Sequence, residues 1–144
     1  MPSVPPVAGL HHIGIAVTSL DEALPRWTGF GLVLQSIEEV PTEQVRVAVL
    51  LAGTTRIELL EPTGPDSPIA QFLGKRGPGI HHLAFGVGDC QVQMDALAAA
   101  GAPLLGSAPR PGAHDCKVAF VHPRHLLGVL AELVEDPHAT DHNP

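Results

Sequence analysis

Four residues in this sequence combine types and spacing that suit metal chemistry. His12 and His82 lie in similar surroundings, LHHIGIAV and IHHLAFGV, and Glu58 and Glu132 lie in IELLE and AELVE. Two neutral imidazoles and two carboxylates supply four ligands and cancel a divalent charge, and they suit Zn²⁺, Co²⁺, Ni²⁺ or Mn²⁺. A carboxylate within an apolar strand is costly unless it is paired, exposed or bound to a metal. The four residues therefore predict a divalent metal site.

An internal repeat accounts for the matching positions. Three segment pairs occur in the same order: 10–17 with 80–87, 46–50 with 117–121, and 56–61 with 130–135. Each copy predicts a strand, a helix and three further strands, so the fold class is α+β, with two repeated βαβββ modules. We expect them to form a cupped, mostly antiparallel eight-stranded sheet with helices outside.

The repeat also sets the domain organisation. We expect a single domain at 9–135 with tails at 1–8 and 136–144. Module 1 covers about 10–62, a linker with a short helix near 69–73 covers about 62–79, and module 2 covers about 80–135.

Local signals place helices and strands within each module. Ser19 with Glu22 has the form of a capping box, but Pro25 predicts a short, kinked or irregular first helix. Asp89 begins an amphipathic run that Gly101 ends. The further strands are predicted near 32–40, 45–51, 55–61, 103–106, 116–121 and 128–134.

Strand alternation separates the paired histidines. His12 and His82 share a face with small residues, whereas His11 and His81 share the opposite face with bulky apolar residues. We expect the small-residue face to leave room for a ligand, and the bulky face to pack under helices. The alternative is that these histidines are hydrogen-bonded core residues and that both glutamates are rim charges.

Composition excludes several classes of protein. The chain has 144 residues, 8 Lys and Arg against 15 Asp and Glu, a net charge of −7 and only 3% aromatic residues, so a nucleic-acid partner is not expected. No apolar run has the length of a membrane span, and the amino terminus has no signal-peptide pattern. Cys90 and Cys116 are expected to be buried, reduced small hydrophobic residues, which favours a cytoplasmic location.

Several segments resemble a known family. They are LHHIGIAVTSLDEAL at 10–24, the run at 46–87 that contains ELLEP, DSPIA and GIHH, PRPGAHDCKVAFVHP at 109–123, and GVLAELVE at 128–135. The chain resembles the vicinal oxygen chelate (glyoxalase/bleomycin resistance/dioxygenase) superfamily and, within it, the methylmalonyl-CoA epimerases. The resemblance implies that His12, Glu58, His82 and Glu132 bind the metal, that an acyl-CoA is the substrate, and that the protein is a homodimer.

The implied reaction interconverts (R)- and (S)-methylmalonyl-CoA through an enolate at C2, which requires an acid or base on each face. By the same resemblance, Glu132 is one acid/base. Some bacterial members carry a second glutamate at the position where this chain has Val47 or a neighbour. Glu43 lies close to that position in sequence and is therefore the second candidate; a metal-bound water is the alternative. The segment 122–128 departs from the family pattern and is expected to lie near the acyl-CoA.

Other functions use similar residues. A glyoxalase I-like lyase acting on a glutathione hemithioacetal would use the same ligand set, but DSPIA and GIHH favour the epimerase. A metal-free small-molecule binding protein would be expected to lack some of the metal-ligating residues, and all four are present. An extradiol dioxygenase needs two His and one Glu with Fe²⁺, which makes Glu58 superfluous.

Overall fold

The computed structural model describes residues 3–139. The strands are β1 Gly9–Ala16, β2 Val33–Val40, β3 Val45–Ala52, β4 Thr55–Pro62, β5 Gly79–Gly86, β6 Leu104–Pro111, β7 Lys117–Val121 and β8 Ala131–Glu135. The helices are α1 Leu20–Phe30, α2 Pro68–Arg76 and α3 Cys90–Ala99, and 3₁₀ turns cover Pro41–Glu43, Ala113–Asp115 and Pro123–Leu126. Contacts divide the chain into a first unit, His12–His82, and a second unit with the described residues up to His11 and from Leu83 onward.

The first unit contains a strand quartet in the order β2-β3-β4-β1. Strands β2, β3 and β4 pair antiparallel, and β1 pairs parallel with β4 from Ile13↔Ile57 to Ala16↔Leu60. Its core lies between the sheet and α1, where Leu20 contacts a cluster of buried apolar residues. This packing holds β1 and β4 side by side, which matters because each carries a predicted metal ligand.

The second unit repeats this arrangement with the order β5-β8-β7-β6. Strand β5 pairs parallel with β8 from Leu83↔Ala131 to Gly86↔Val134, and β6, β7 and β8 pair antiparallel. Cys90 and Met94 of α3 pack with buried residues of the sheet. The duplicated strand–helix–three-strand order predicted from the sequence is therefore confirmed.

The two modules also begin their first helices in the same way. The backbone N–H of Leu20 donates to Glu61 Oε2 at 2.9 Å, and the N–H of Cys90 donates to Glu135 Oε1 at 2.9 Å. Both carboxylates come from the ends of the last strands of their modules. Negative charge near a helix N-terminus is stabilising, because the first backbone N–H groups of a helix have no partner within it. Ser19 also caps α1, as predicted.

Some boundaries differ from the sequence predictions. Helix α1 runs for 11 residues through Pro25, so the prediction of a short or irregular helix is wrong. Proline removes only one backbone donor, and caps with apolar packing maintain the rest of the helix. Strand β6 extends to Pro111 rather than ending near residue 106, with an irregular register between Leu105 and Arg110. Strand β8 begins at Ala131 rather than near residue 128, because the backbone at Leu127 and Gly128 has positive φ and is not extended.

Residues assigned to the amino-terminal tail form hydrogen bonds within the second unit, to which they belong. The Gln93 side-chain amide donates to the Pro5 carbonyl at 2.7 Å, and the Ala8 N–H donates to the Gly86 carbonyl at 2.8 Å. His142, assigned to the other tail, lies outside the described residues. Among the helices of residues 3–139, none combines the length and hydropathy needed to cross a membrane.

Candidate metal centre

Three of the predicted ligands come together within the first unit. His12 Nε2 lies 3.0 Å from His82 Nε2, and His12 Nδ1 lies 3.3 Å from Glu58 Oε2. All three residues are buried, with exposures of 4%, 7% and 5% for His12, Glu58 and His82. Glu58 and His82 follow His12 by 46 and 70 residues in sequence, yet the three form one buried polar cluster.

The register between β1 and β4 explains the proximity of His12 and Glu58. Glu58 is the parallel partner of Gly14, which follows His12 by two residues and therefore shares its face of the sheet. On the other side of β4, Glu58 pairs with Val49, which is almost fully buried. The cluster consequently has an apolar neighbour that limits access of water to the carboxylate.

Gly14 provides the space that the His82 ring occupies. A Cβ at position 14 would lie 2.2 Å from His82 Cε1, 2.6 Å from Nδ1 and 2.7 Å from Nε2. These separations are far below the carbon–carbon optimum of about 3.5–4.0 Å. The absence of a side chain at Gly14 is therefore a requirement for the position of His82 beside His12.

The spacing of the two imidazole nitrogens passes a test of fit for a divalent ion, whereas the Glu58 carboxylate lies at the other nitrogen of His12. With a metal–nitrogen distance of about 2.1 Å, two nitrogen ligands at a right angle lie about 3.0 Å apart, and at a tetrahedral angle about 3.4 Å. The separation of the two Nε2 atoms is 3.0 Å. In the metal-free state the same distance suits a hydrogen bond in which one imidazole donates to the other.

His81 supports His82 from the helix side. Its ring packs edge-on against Phe72 of α2 with a centroid separation of 5.0 Å. His81 Nδ1 also lies 3.0 Å from His82 Nδ1. Strand alternation placed His81 under the helices, but only the structure brings its nitrogen to the second nitrogen of His82. Such a contact fixes the ring orientation and tautomer of a ligand.

Glu132 occupies the corresponding position of the second unit. It is 7% exposed and is the parallel partner of Ala84. Ala84 follows His82 by two residues, as Gly14 follows His12. The repeat therefore relates Glu132 to β5 in the way that Glu58 relates to β1.

Glu43 lies in the 3₁₀ turn before β3. The first β3 pair is Val45↔Pro62, and Pro62 lies four residues beyond Glu58 along β4, which is about 13 Å of strand. The register therefore separates the Glu43 backbone from the cluster of His12, Glu58 and His82. His122 Nδ1 accepts a hydrogen bond from the Arg124 N–H at 3.1 Å, so His122 caps the turn in the 122–128 segment.

Cys90 is chemically inert at neutral pH. Burial, followed by the nearby negative charges of Glu135 and Asp89, raises the pKa of the Cys90 thiol to about 11. The thiol therefore remains protonated and is a poor nucleophile. Its role in the core of α3 agrees with the sequence prediction for this residue.

Comparison with known proteins gives consistent matches. The family model of the glyoxalase/bleomycin resistance protein/dioxygenase superfamily matches residues 11–120. The uncharacterized protein YqjC of Bacillus subtilis is 42% identical over 135 residues, 93% of this chain and 96% of that protein. The ethylmalonyl-CoA/methylmalonyl-CoA epimerase of Cereibacter sphaeroides is 39% identical over 130 residues, with coverage of 88% and 97%.

A solved structure extends the likeness to the fold. A variant of the Streptomyces coelicolor methylmalonyl-CoA epimerase in complex with 2-nitronate-propionyl-CoA matches with a TM-score of 0.87 and 32% identity, covering 92% of this chain and 97% of that chain. The predicted fold class is confirmed. The fold and the site together define a class of protein: two βαβββ modules with a buried cluster of histidine and glutamate residues that can bind a metal. The chain belongs to the glyoxalase/bleomycin resistance protein/dioxygenase superfamily.

Proposed function

We propose that this protein is a metal-dependent epimerase that interconverts (R)- and (S)-methylmalonyl-CoA. The buried cluster of His12, Glu58 and His82 carries the proposal, because its donor set and its Nε2 separation suit a divalent ion. The names of the Cereibacter and Streptomyces relatives supply the acyl-CoA substrate class. Ethylmalonyl-CoA is the natural second substrate to assay, since the Cereibacter enzyme is named for both.

The residues that would hold the ion are His12, Glu58, His82 and Glu132. The first three are supported by their contacts, and Glu132 by its burial and by the repeated register opposite Ala84. Two carboxylates balance the charge of Co²⁺, Mn²⁺, Ni²⁺ or Zn²⁺. When bound, such an ion supplies Lewis-acid stabilisation of negative charge on substrate oxygens, worth several kcal/mol.

The chain must itself move the proton at C2. That proton is acidic because C2 lies between a thioester and a carboxylate, and inversion needs a group on each face. We assign one face to the Glu132 carboxylate, which is only 7% exposed and therefore has limited access to water. Glu43 is the proposed group for the opposite face, and its turn would have to approach the substrate on binding.

Solvent deuterium exchange tests the proposed function. In D₂O, the metal-loaded protein should introduce deuterium at C2 of methylmalonyl-CoA, and NMR measures this exchange. His12→Ala should abolish exchange and the binding of the ion at the His12, Glu58 and His82 cluster, whereas His138→Ala, at an exposed position, should leave both unchanged. Absence of exchange by the metal-loaded wild type would contradict the epimerase. Turnover of a methylglyoxal–glutathione hemithioacetal instead would favour the lyase.

The two carboxylates can be separated by starting from each epimer. Glu132→Gln and Glu43→Gln should each block epimerisation, and each should retain deuterium exchange from only one epimer. Metal content measured on both variants distinguishes a lost base from a lost ligand. Normal epimerisation by Glu43→Gln would remove that residue from the proposal.

Assembly and location stay predictions. A homodimer is supported by the exposure of Phe30 and Val33, apolar side chains that are 81% and 64% exposed. Light scattering after gel filtration would measure the mass. A cytoplasmic location would be checked by cell fractionation.

A further inference from the structure

Three potential metal ligands outside the proposed epimerase site lie together in the second unit. His11 Nε2 and Asp136 Oδ2 are 2.7 Å apart, and their side chains are 11% and 7% exposed. Cys116 is 6% exposed. One ligand atom from each of the three residues lies within 4.8 Å of the other two.

The topology of the unit accounts for this cluster. Strands β7 and β8 pair with Lys117 opposite Glu135, so Cys116 comes opposite Asp136 where the pair ends. The Ala8 N–H donates to the Gly86 carbonyl, and Gly86 is paired with Val134 of β8. The chain leading into β1 is thereby held close to the end of β8.

We propose that His11, Cys116 and Asp136 form a second divalent metal site, selective for a thiophilic ion such as Zn²⁺. A thiolate and a carboxylate cancel the charge of the ion, and a neutral imidazole completes a three-residue set with a fourth position for water. This proposal does not depend on the epimerase function, because none of the three residues belongs to the proposed epimerase ligands.

The distances require only small movements. With metal–ligand distances of about 2.0–2.3 Å, tetrahedral ligands lie about 3.3–3.8 Å apart. The Cys116 sulfur therefore has to approach by at most about 1.5 Å, and the His11–Asp136 hydrogen bond has to open. Binding releases the Cys116 thiol proton to solvent, while His11 binds as the neutral tautomer whose ligating nitrogen carries no proton.

The expected role is to link the start of β1 to the chain that follows β8. His11 and Asp136 are separated by 125 residues in sequence. An ion that binds the folded but not the unfolded chain raises the apparent stability. Zn²⁺ should therefore raise the unfolding temperature of the wild type, and should raise it less in Cys116→Ser and Asp136→Asn.

Cobalt spectroscopy gives a direct test, because a thiolate bound to Co²⁺ has a near-ultraviolet charge-transfer band that imidazole and carboxylate ligands do not produce. Reduced protein titrated with Co²⁺ should show this band in the wild type and lose it in Cys116→Ser. Cys90→Ser is the matched control and should keep it. His12→Ala should also keep it, which separates this site from the proposed epimerase site.

Two results would overturn the proposal: no charge-transfer band in the Co²⁺-loaded wild type, or a band of equal intensity in Cys116→Ser. Asp136→Asn, which preserves side-chain volume, tests the carboxylate if Cys116→Ser does not fold. The band should then shift or require a higher Co²⁺ concentration, and an unchanged titration would refute the role of Asp136.

Discussion

Gly14→Ala should separate the folding of this protein from metal binding. The added Cβ would lie 2.2 Å from His82 Cε1, whereas ordinary carbon contacts are about 3.5–4.0 Å, so the ring must withdraw by about 1.3 Å or more. That movement exceeds the about 0.2 Å by which metal–ligand distances vary. The 3.0 Å approach of His82 to His12 is then lost.

The size of the effect follows from the displaced ligand. Disturbing the support of a ligand typically reduces metal affinity about 10–100-fold, and here the ligand itself moves. We expect at least that loss, which is about 1.4–2.8 kcal/mol of binding free energy, together with a similar loss of epimerase activity at limiting metal. Overpacking should lower the free energy of unfolding by about 1–3 kcal/mol, so a folded protein is still expected.

Calorimetric metal titration and circular dichroism on the same samples measure both quantities. Gly29→Ala is the matched control: Gly29 lies within α1 and a Cβ there meets nothing within 4 Å, so metal affinity should be unchanged. Wild-type metal affinity in a folded Gly14→Ala protein would refute the argument that this glycine positions His82.

Three further perturbations have defined outcomes. His81→Ala should weaken metal binding about tenfold by releasing the second nitrogen of His82, measured by metal titration, and an unchanged affinity would show that the contact is incidental. Glu61→Ala should lower the free energy of unfolding by about 1 kcal/mol, because the Leu20 N–H loses its acceptor; equal urea midpoints would contradict this. The pKa of the Cys90 thiol is raised from 9.0 to about 11 in the folded protein. The free energy of unfolding of the wild type, relative to Cys90→Ala, should therefore be greatest below pH 9 and should fall by about 2–3 kcal/mol as the pH rises to 11. A pH-independent difference in urea denaturation would refute that shift.

Much of the candidate site was predictable because a repeat and strand alternation are properties of the sequence. The repeat related His12 to His82 and Glu58 to Glu132, and the period of two predicted which histidine of each pair shares a face with small residues. Boundaries were less predictable. Pro25 was expected to disrupt α1, but local propensity is outweighed by tertiary packing and by the Glu61 carboxylate.

The sequence by itself determined the module order and the residue types that can bind a metal, because hydrophobic periodicity and duplication are encoded locally. The tertiary structure alone decided which long-range approaches occur. The His82 ring lies over Gly14, but the repeat counterpart of Gly14 is Ala84, which carries a Cβ. Both are small residues, so the sequence alone does not predict that only Gly14 must lack a side chain. His11, Cys116 and Asp136 meet only through strand register and the path of the chain into β1. Such contacts depend on the packing of distant segments, and no local pattern specifies them.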